Sequence, residues 1–343
     1  MDYPLRSGEK AKLLRQTSLQ LQRSRQTPLS VHLTGLIEQE LLDTLLAVSS
    51  RWQSATLRLE QCNYHYIFTS RADFTILKEL SLQFHSYNGY NGDAAGFVQS
   101  LPALVDFTLH MFYEYIPRGF ESLWPRLLVC TLVKCRTADI LRILPLFSPE
   151  TRVSLVGCVA DRDGGLAPVQ SAISALSLNS CCNDFITGFL KVVAAPRLKK
   201  FVMSECYPTL PSIAAFLSDS SCTLTHLALS VATLSGLLTL LALPHTCHIC
   251  ALDIDFQWST PSAPIIDALA TRDIVPNLRS FTLRNCDSIE DAGILALHTS
   301  RQPILQQLWL QRCTNGLTLS RTALQALKSD GLEVVIFEYL DYW

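Results

Sequence analysis

The chain has 343 residues, of which 48% are hydrophobic and 17% charged, with a formal net charge of −2. So many apolar side chains can fill a large core, and so little charge excludes a disordered tail or a general polyanion binder. No apolar run approaches the roughly 18 residues of a membrane span, and the amino terminus has no apolar signal core.

The first predicted element is a helix over 8–25, GEKAKLLRQTSLQLQRSR, with Leu14, Ser18 and Leu21 on one face. The first 25 residues hold six Lys or Arg against two acids. No aromatic residues interleave with those charges, which favours an exposed helix face over a nucleic-acid arm. Residues 1–26 therefore read as a capping helix and linker, and 27–343 as one repeat domain. A strand at 28–33, PLSVHL, opens that domain.

From there the chain falls into copies of L-x-x-L-x-L-x-x-C. The clearest are 127–135 (LLVCTLVKC), 173–181 (ISALSLNSC), 198–206 (LKKFVMSEC), 278–286 (LRSFTLRNC) and 305–313 (LQQLWLQRC). Weaker copies stand at 77–85, 104–112, 224–232, 249–257 and 332–340, and half-copies at 54–62 and 150–158. The third apolar position anchors each unit: Leu59, Leu82, Leu109, Leu132, Leu155, Leu178, Met203, Leu229, Ile254, Leu283, Leu310 and Phe337. These anchors are 23 to 29 residues apart, the period of a leucine-rich repeat. Three residues after an anchor stand Cys62, Cys135, Cys158, Cys181, Cys206, Cys286 and Cys313, seven of the twelve cysteines. Chance placement would put fewer than one there. The spacing predicts small buried side chains at the strand-to-loop turn, and no disulfide or nucleophile.

Return segments at 209–220, 288–300 and 320–331 carry helix signals: an early Pro, acids in the first turn, and Ser-to-Gly boundaries respectively. The 23-residue units between Leu109 and Leu178 leave less room for helices. Two Asn-Gly pairs mark 86–96 as a surface loop, and DRDGG at 161–165 is a turn too short for a calcium site. The aromatic stretch 111–125, MFYEYIPRGFESLWP, is expected to pack as a return loop.

The predicted architecture is α/β: a horseshoe solenoid of about 12–13 leucine-rich repeats, with a parallel sheet on the concave face and helices on the convex face. Residues flanking the second and third apolar positions of each strand point out of the concave sheet. Towards the carboxyl end these are Asp253, Asp255, Arg284, Gln307, Trp309 and Gln311. An aromatic ring beside a cation and carboxylates is the composition of a protein-binding hot spot. These six are the candidate partner-binding residues.

HTCHIC (245–250) is the best metal candidate, with His245, Cys247, His248 and Cys250. A structural zinc site needs about four converging ligands, usually two separated pairs. No second pair accompanies this one, and it runs straight into a strand, so neither metal nor cofactor is expected. No nucleophile elbow, phosphate loop, dinucleotide fingerprint or zinc-protease motif occurs, so an enzyme is not expected.

LRQTSLQLQRSRQTPLSVHL followed by ELLDTLLAVSSRWQSATLRL resembles fungal F-box proteins with carboxyl-terminal leucine-rich repeats. The matching residues are Pro28, Leu29 and Ser30, then Ser50, Arg51, Trp52, Leu57 and Leu59. LRSFTLRNCDSIEDAGILAL (278–297) is similar to the cysteine-containing repeat subclass common in that family. The family's F-box segment itself is not expected before residue 27. The resemblance implies a substrate-recognition role in a ubiquitin ligase, with ligase components as further partners. The residues alone imply a non-enzymatic, monomeric scaffold that binds a protein, with neither nucleic acid nor membrane as partner. With no signal core or glycosylation acceptor and twelve cysteines, an intracellular place, cytoplasmic or nuclear, is expected.

Overall fold

The computed structural model describes residues 7–84, 94–112, 115–161, 166–206, 209–231, 234–260, 263–286, 289–311 and 319–337. The chain divides into two compact units, Met1–Val159 and Ala160–Trp343.

Among its described residues the first unit is built on six parallel strands that neighbour one another in chain order. They are β1 (Leu29–Gly35), β2 (Trp52–Leu59), β3 (Glu79–Gln83), β4 (Asp106–His110), β5 (Val129–Val133) and β6 (Arg152–Val156). Each return to a parallel neighbour needs a crossover. The crossovers carry α2 (Gln39–Leu46), α3 (Gln61–Thr69), α4 (Ala95–Gln99) and α5 (Thr137–Ile143). Ahead of them α1 (Ser7–Ser24) spans the expected capping helix. Its half-buried positions are Leu14, Thr17, Leu21 and Ser24, while Ser18 is exposed. Arg51 ties its end down, donating to Ser24 Oγ at 2.7 Å and to the Thr27 carbonyl at 3.0 Å.

One buried leucine row crosses this unit: Leu33, Leu57, Leu82, Leu109, Leu132 and Leu155 are register partners. The row corrects one anchor, because Leu57, not Leu59, pairs with Leu82. Aromatic side chains from strands and return segments fill the space behind the sheet. Phe107 of β4 lies 5.7 Å from Phe120, Phe68 of α3 stacks on Phe97 of α4 at 4.6 Å, and Trp124 meets Phe147 at 5.8 Å. Each such pair adds about 0.5–1.5 kcal/mol beyond area burial. The stretch 111–125 thus packs inward through Phe120 and Trp124, each 1% exposed, but Tyr115 is left 69% exposed.

Among its described residues the second unit holds seven parallel strands, again neighbours in order: β8 (Ala175–Asn179), β10 (Lys200–Ser204), β11 (His226–Val231), β12 (Ala251–Thr260), β13 (Ser280–Cys286), β14 (Gln307–Gln311) and β15 (Glu333–Phe337). A short pair, β7 (Val169–Gln170) with β9 (Val193–Ala194), stands apart. Among the described residues six helices return the chain: α6 (Asn183–Val192), α7 (Leu210–Ser220), α8 (Leu234–Leu241), α9 (Ala263–Ala270), α10 (Asp291–Arg301) and α11 (Arg321–Ser329). Phe216 of α7 packs on Phe201 of β10 at 5.4 Å. Ser320 caps α11 by accepting from the Ala323 amide at 3.1 Å, and Gly331 leaves it at φ +84°. The anchor row here is Leu178, Met203, Leu229, Ile254, Leu283, Leu310 and Ile336.

A shared bend follows five anchors, two in the first unit's row and three in the second's. Lys134, Gly157, Ser180, Glu205 and Asn285, each two residues past its anchor, have φ between +51° and +59°. In the four units whose cysteine side chain is described, this left-handed step turns the next residue, that cysteine, back under the sheet. Cys135, Cys158, Cys181 and Cys206 are buried. Cys158 donates to the carbonyl of the preceding anchor, Leu132, at 3.6 Å, and Cys206 to that of Leu178 at 3.5 Å. Burial holds the Cys135 thiol pKa well above its usual 9.0. The side chains of Cys286 and Cys313 lie outside the described residues.

Cys62 departs from the expectation: it is exposed. Its unit is anchored on Leu57, so Cys62 stands five residues past the anchor, in the first turn of α3. Asn63 and Tyr64 do the inward bonding instead. Asn63 exchanges bonds with the Ile37 backbone at 3.0 and 2.8 Å, and Tyr64 Oη donates to the Leu57 carbonyl at 2.5 Å.

Candidate protein-binding face

Strand side chains alternate between the buried side and an open, half-exposed side, as a pleated ribbon requires. In the second unit the register lines the open side up in three rows. The first runs His226, Ala251, Ser280, Gln307 and Glu333; the second Ala228, Asp253, Thr282, Trp309 and Val335; the third Ser230, Asp255, Arg284, Gln311 and Phe337. All six candidate residues lie on this side, and all six are half-exposed.

Most of their polar groups are already bonded within the face. Arg284 Nη2 lies 2.7 Å from Asp253 Oδ2 across two strands. Asn285 Nδ2 donates to Asp255 Oδ1 at 2.5 Å, and Gln307 Nε2 to Glu333 Oε2 at 2.9 Å. Burial raises the Asp253 carboxyl above its usual 3.8, Arg284 pulls it back down, and Asp255 pushes it up. Its raised pKa means that partial desolvation outweighs the Arg284 contact. Arg284 Nε is buried without a partner among the described residues.

The aromatic anchor has a second half that the repeat spacing by itself places inside. The repeat spacing anchors the last unit on Phe337, which would bury that ring. The register pairs Leu310 with Ile336, so Phe337 falls one residue further along and faces outward. A slip of one residue sends every side chain of a strand to the opposite face. Phe337 is 48% exposed and stacks on Trp309, with ring centroids 5.9 Å apart and planes 22° apart. The signal was the β-branched alternation Val334 and Ile336, which marks the inward side better than Phe337 does.

In the cluster at 245–250, His245, Cys247 and Cys250 are half-buried. Cys250 donates to the Thr225 carbonyl at 3.3 Å, and His248 is exposed. Among the described residues no group of three or more His, Cys, Asp or Glu could hold a metal ion, and no helix is long and apolar enough to cross a membrane.

In comparison with known proteins, the chain matches no family model and no curated protein.

Proposed function

We propose that the protein is a non-enzymatic interaction scaffold, a leucine-rich-repeat solenoid that takes up a polypeptide partner on the open face of its sheet. The observation that carries this reading is the Trp309–Phe337 stack on that face, half exposed and bordered by the Arg284–Asp253 ion pair and the Gln307–Glu333 hydrogen bond. Large aromatic side chains dominate binding energy where they can be desolvated at an interface centre. The bordering polar pairs bring hydrogen-bonding groups that are held in place before the partner arrives, and the carboxylates of Asp255 and Glu333, bonded to neutral amides, keep their charge. The ten described cysteines are free thiols, two of them exposed, which favours a reducing, intracellular setting. The ubiquitin-ligase role implied by the F-box resemblance is a narrower form of the same proposal.

The test is comparative capture with the full chain as bait. Proteins retained by the wild type and by Lys328→Ala, a change on α11, are set against those retained by a Trp309→Ala, Phe337→Ala variant. A specific partner is expected to be lost only from the second bait, and its purified form to bind roughly thirtyfold more weakly, about 2 kcal/mol. Equal capture and equal affinity with both baits would overturn the proposed anchor.

A further inference from the structure

The first unit presents an open face of different chemistry. Its middle row is a line of hydroxyls, Thr56, Ser81, Thr108, Thr131 and Ser154, on successive strands. Towards the strand starts lie Glu79 and Asp106, directly paired in register. Towards the strand ends lie Arg58, Gln83, His110 and Val133, and Lys134 follows in the left-handed bend after β5.

Two rings border this positive end, both from the aromatic stretch that the buried core only partly absorbed. The Lys134 ammonium sits 4.9 Å over the Phe112 ring, and the Arg136 guanidinium 5.0 Å over the exposed ring of Tyr115. Among the described residues neither Arg58 nor Lys134 lies in an ion pair, whereas Arg142 nearby is matched by Glu121 and Asp139. The excess charge acts on His110, whose pKa is lowered from 6.5 by burial and then by Arg58 and Lys134. At the opposite end burial and then Glu79 raise the Asp106 carboxyl.

We propose that the strand-end part of this face, Arg58, His110, Lys134 and Arg136 with Phe112 and Tyr115, docks a short acidic, aromatic-bearing segment of a partner polypeptide. The cations match its carboxylates, the rings offer flat apolar contact, and the hydroxyl row supplies donors and acceptors. The charge division of the face selects a peptide over a larger polyanion. Asp106 is four residues before His110 on one strand, about 13 Å away. A nucleic-acid backbone or an anionic bilayer laid over the face would meet the Glu79 and Asp106 end as well, at a cost. A short acidic segment can sit on the positive end alone.

The test measures binding of a fluorescent peptide of alternating Glu and Tyr to the full-length protein. A Lys and Tyr peptide, phosphatidylserine vesicles and oligothymidylate serve as comparison ligands. The Glu and Tyr peptide is expected to bind best, more weakly at about 0.5 M salt. It should bind more tightly as the pH falls below the lowered pKa of His110, where the ring gains its proton between Arg58 and Lys134 and beside the uncharged Gln83 and Val133. Arg58→Gln with Lys134→Asn is expected to weaken it about tenfold or more. Asn is chosen because it tolerates the left-handed backbone at 134. Asp106→Asn should leave binding unchanged or tighten it, and Trp309→Ala with Phe337→Ala should not affect it. Melting curves of each variant report folding, and Arg58→Gln alone, at an exposed position, gives a second reading if the double variant melts early. Absence of binding, indifference to the Arg58 change, or equal binding of vesicles or oligothymidylate would overturn the proposal.

Discussion

Phe337, in the last described strand, lies flat against Trp309 of the strand before it, ring centroids 5.9 Å apart. The stack stands where the buried side of the sheet is weakest. Val334 and Ile336, the inward residues of β15, are only half-buried, whereas Leu308 and Leu310 of β14 are fully buried. The outer aromatic pair therefore helps hold β15 in place as well as forming the proposed anchor.

That relationship predicts measurable coupling. In a double-mutant cycle, Trp309→Ala and Phe337→Ala should each destabilise the fold, with an interaction energy of about 1 kcal/mol. Denaturant melts of the four proteins give this number directly. Strictly additive losses would show that the rings do not support one another in solution.

The thiols should divide by position in the repeat. A short pulse of iodoacetamide on native protein, read by mass spectrometry, should modify Cys62 and Cys182, which are exposed. Cys130, Cys135, Cys158 and Cys206, all 0–1% exposed, should react only after unfolding. Burial raises the thiol pKa of Cys130 and Cys135, which further suppresses the reactive thiolate. Rapid labelling at Cys158, or protection at Cys62, would contradict the register described above.

Arg301 is a buried tie between repeats. Its side chain, in a residue 1% exposed, donates to the carbonyls of Leu269, Val275 and Ile274 at 2.6, 2.5 and 2.7 Å. Burial and the neighbouring Arg272 lower its pKa to about 10, so it remains charged at neutral pH. Arg301→Met should cost about 3 kcal/mol or more, because three carbonyls lose charged donors. Arg301→Lys should recover only part of this, since one ammonium lacks the planar fork. A melting temperature unchanged by Arg301→Met would refute the account.

Asp106 supplies a pH test whose sign is fixed. Its carboxyl pKa is raised above 3.8 in the fold, by burial first and Glu79 second. The native state then binds more protons than the unfolded chain just above pH 3.8, so this group lowers stability as pH rises through that window. Asp106→Asn should therefore melt higher than the wild type at pH 7, and the gap should close near pH 3, where both side chains are neutral. A gap of the same size at both pH values would point to packing and not to charge.

The repeat, its period and its strand positions were legible in the sequence, because a strand that buries one side must alternate and each unit must present the same row to its neighbour. So were the six open-face residues near the carboxyl end, which follow from that alternation once a strand is placed. The helix boundaries at Ser320 and Gly331 were readable from capping chemistry alone. Register at the ends of the array was not. Leu57 and Leu59 are both apolar and both buried, and either satisfies the pattern; only pairing with Leu82 chooses Leu57, exposes Cys62 and brings in Asn63. At the other end only pairing with Leu310 puts Ile336 inside and turns Phe337 out. The positive end of the first unit's face was hidden for a related reason: Arg58, His110 and Lys134 are scattered over 77 residues of chain and meet only across hydrogen-bonded strands. Local pattern determines which residues can be buried; contacts between distant strands decide which of two adequate choices is taken.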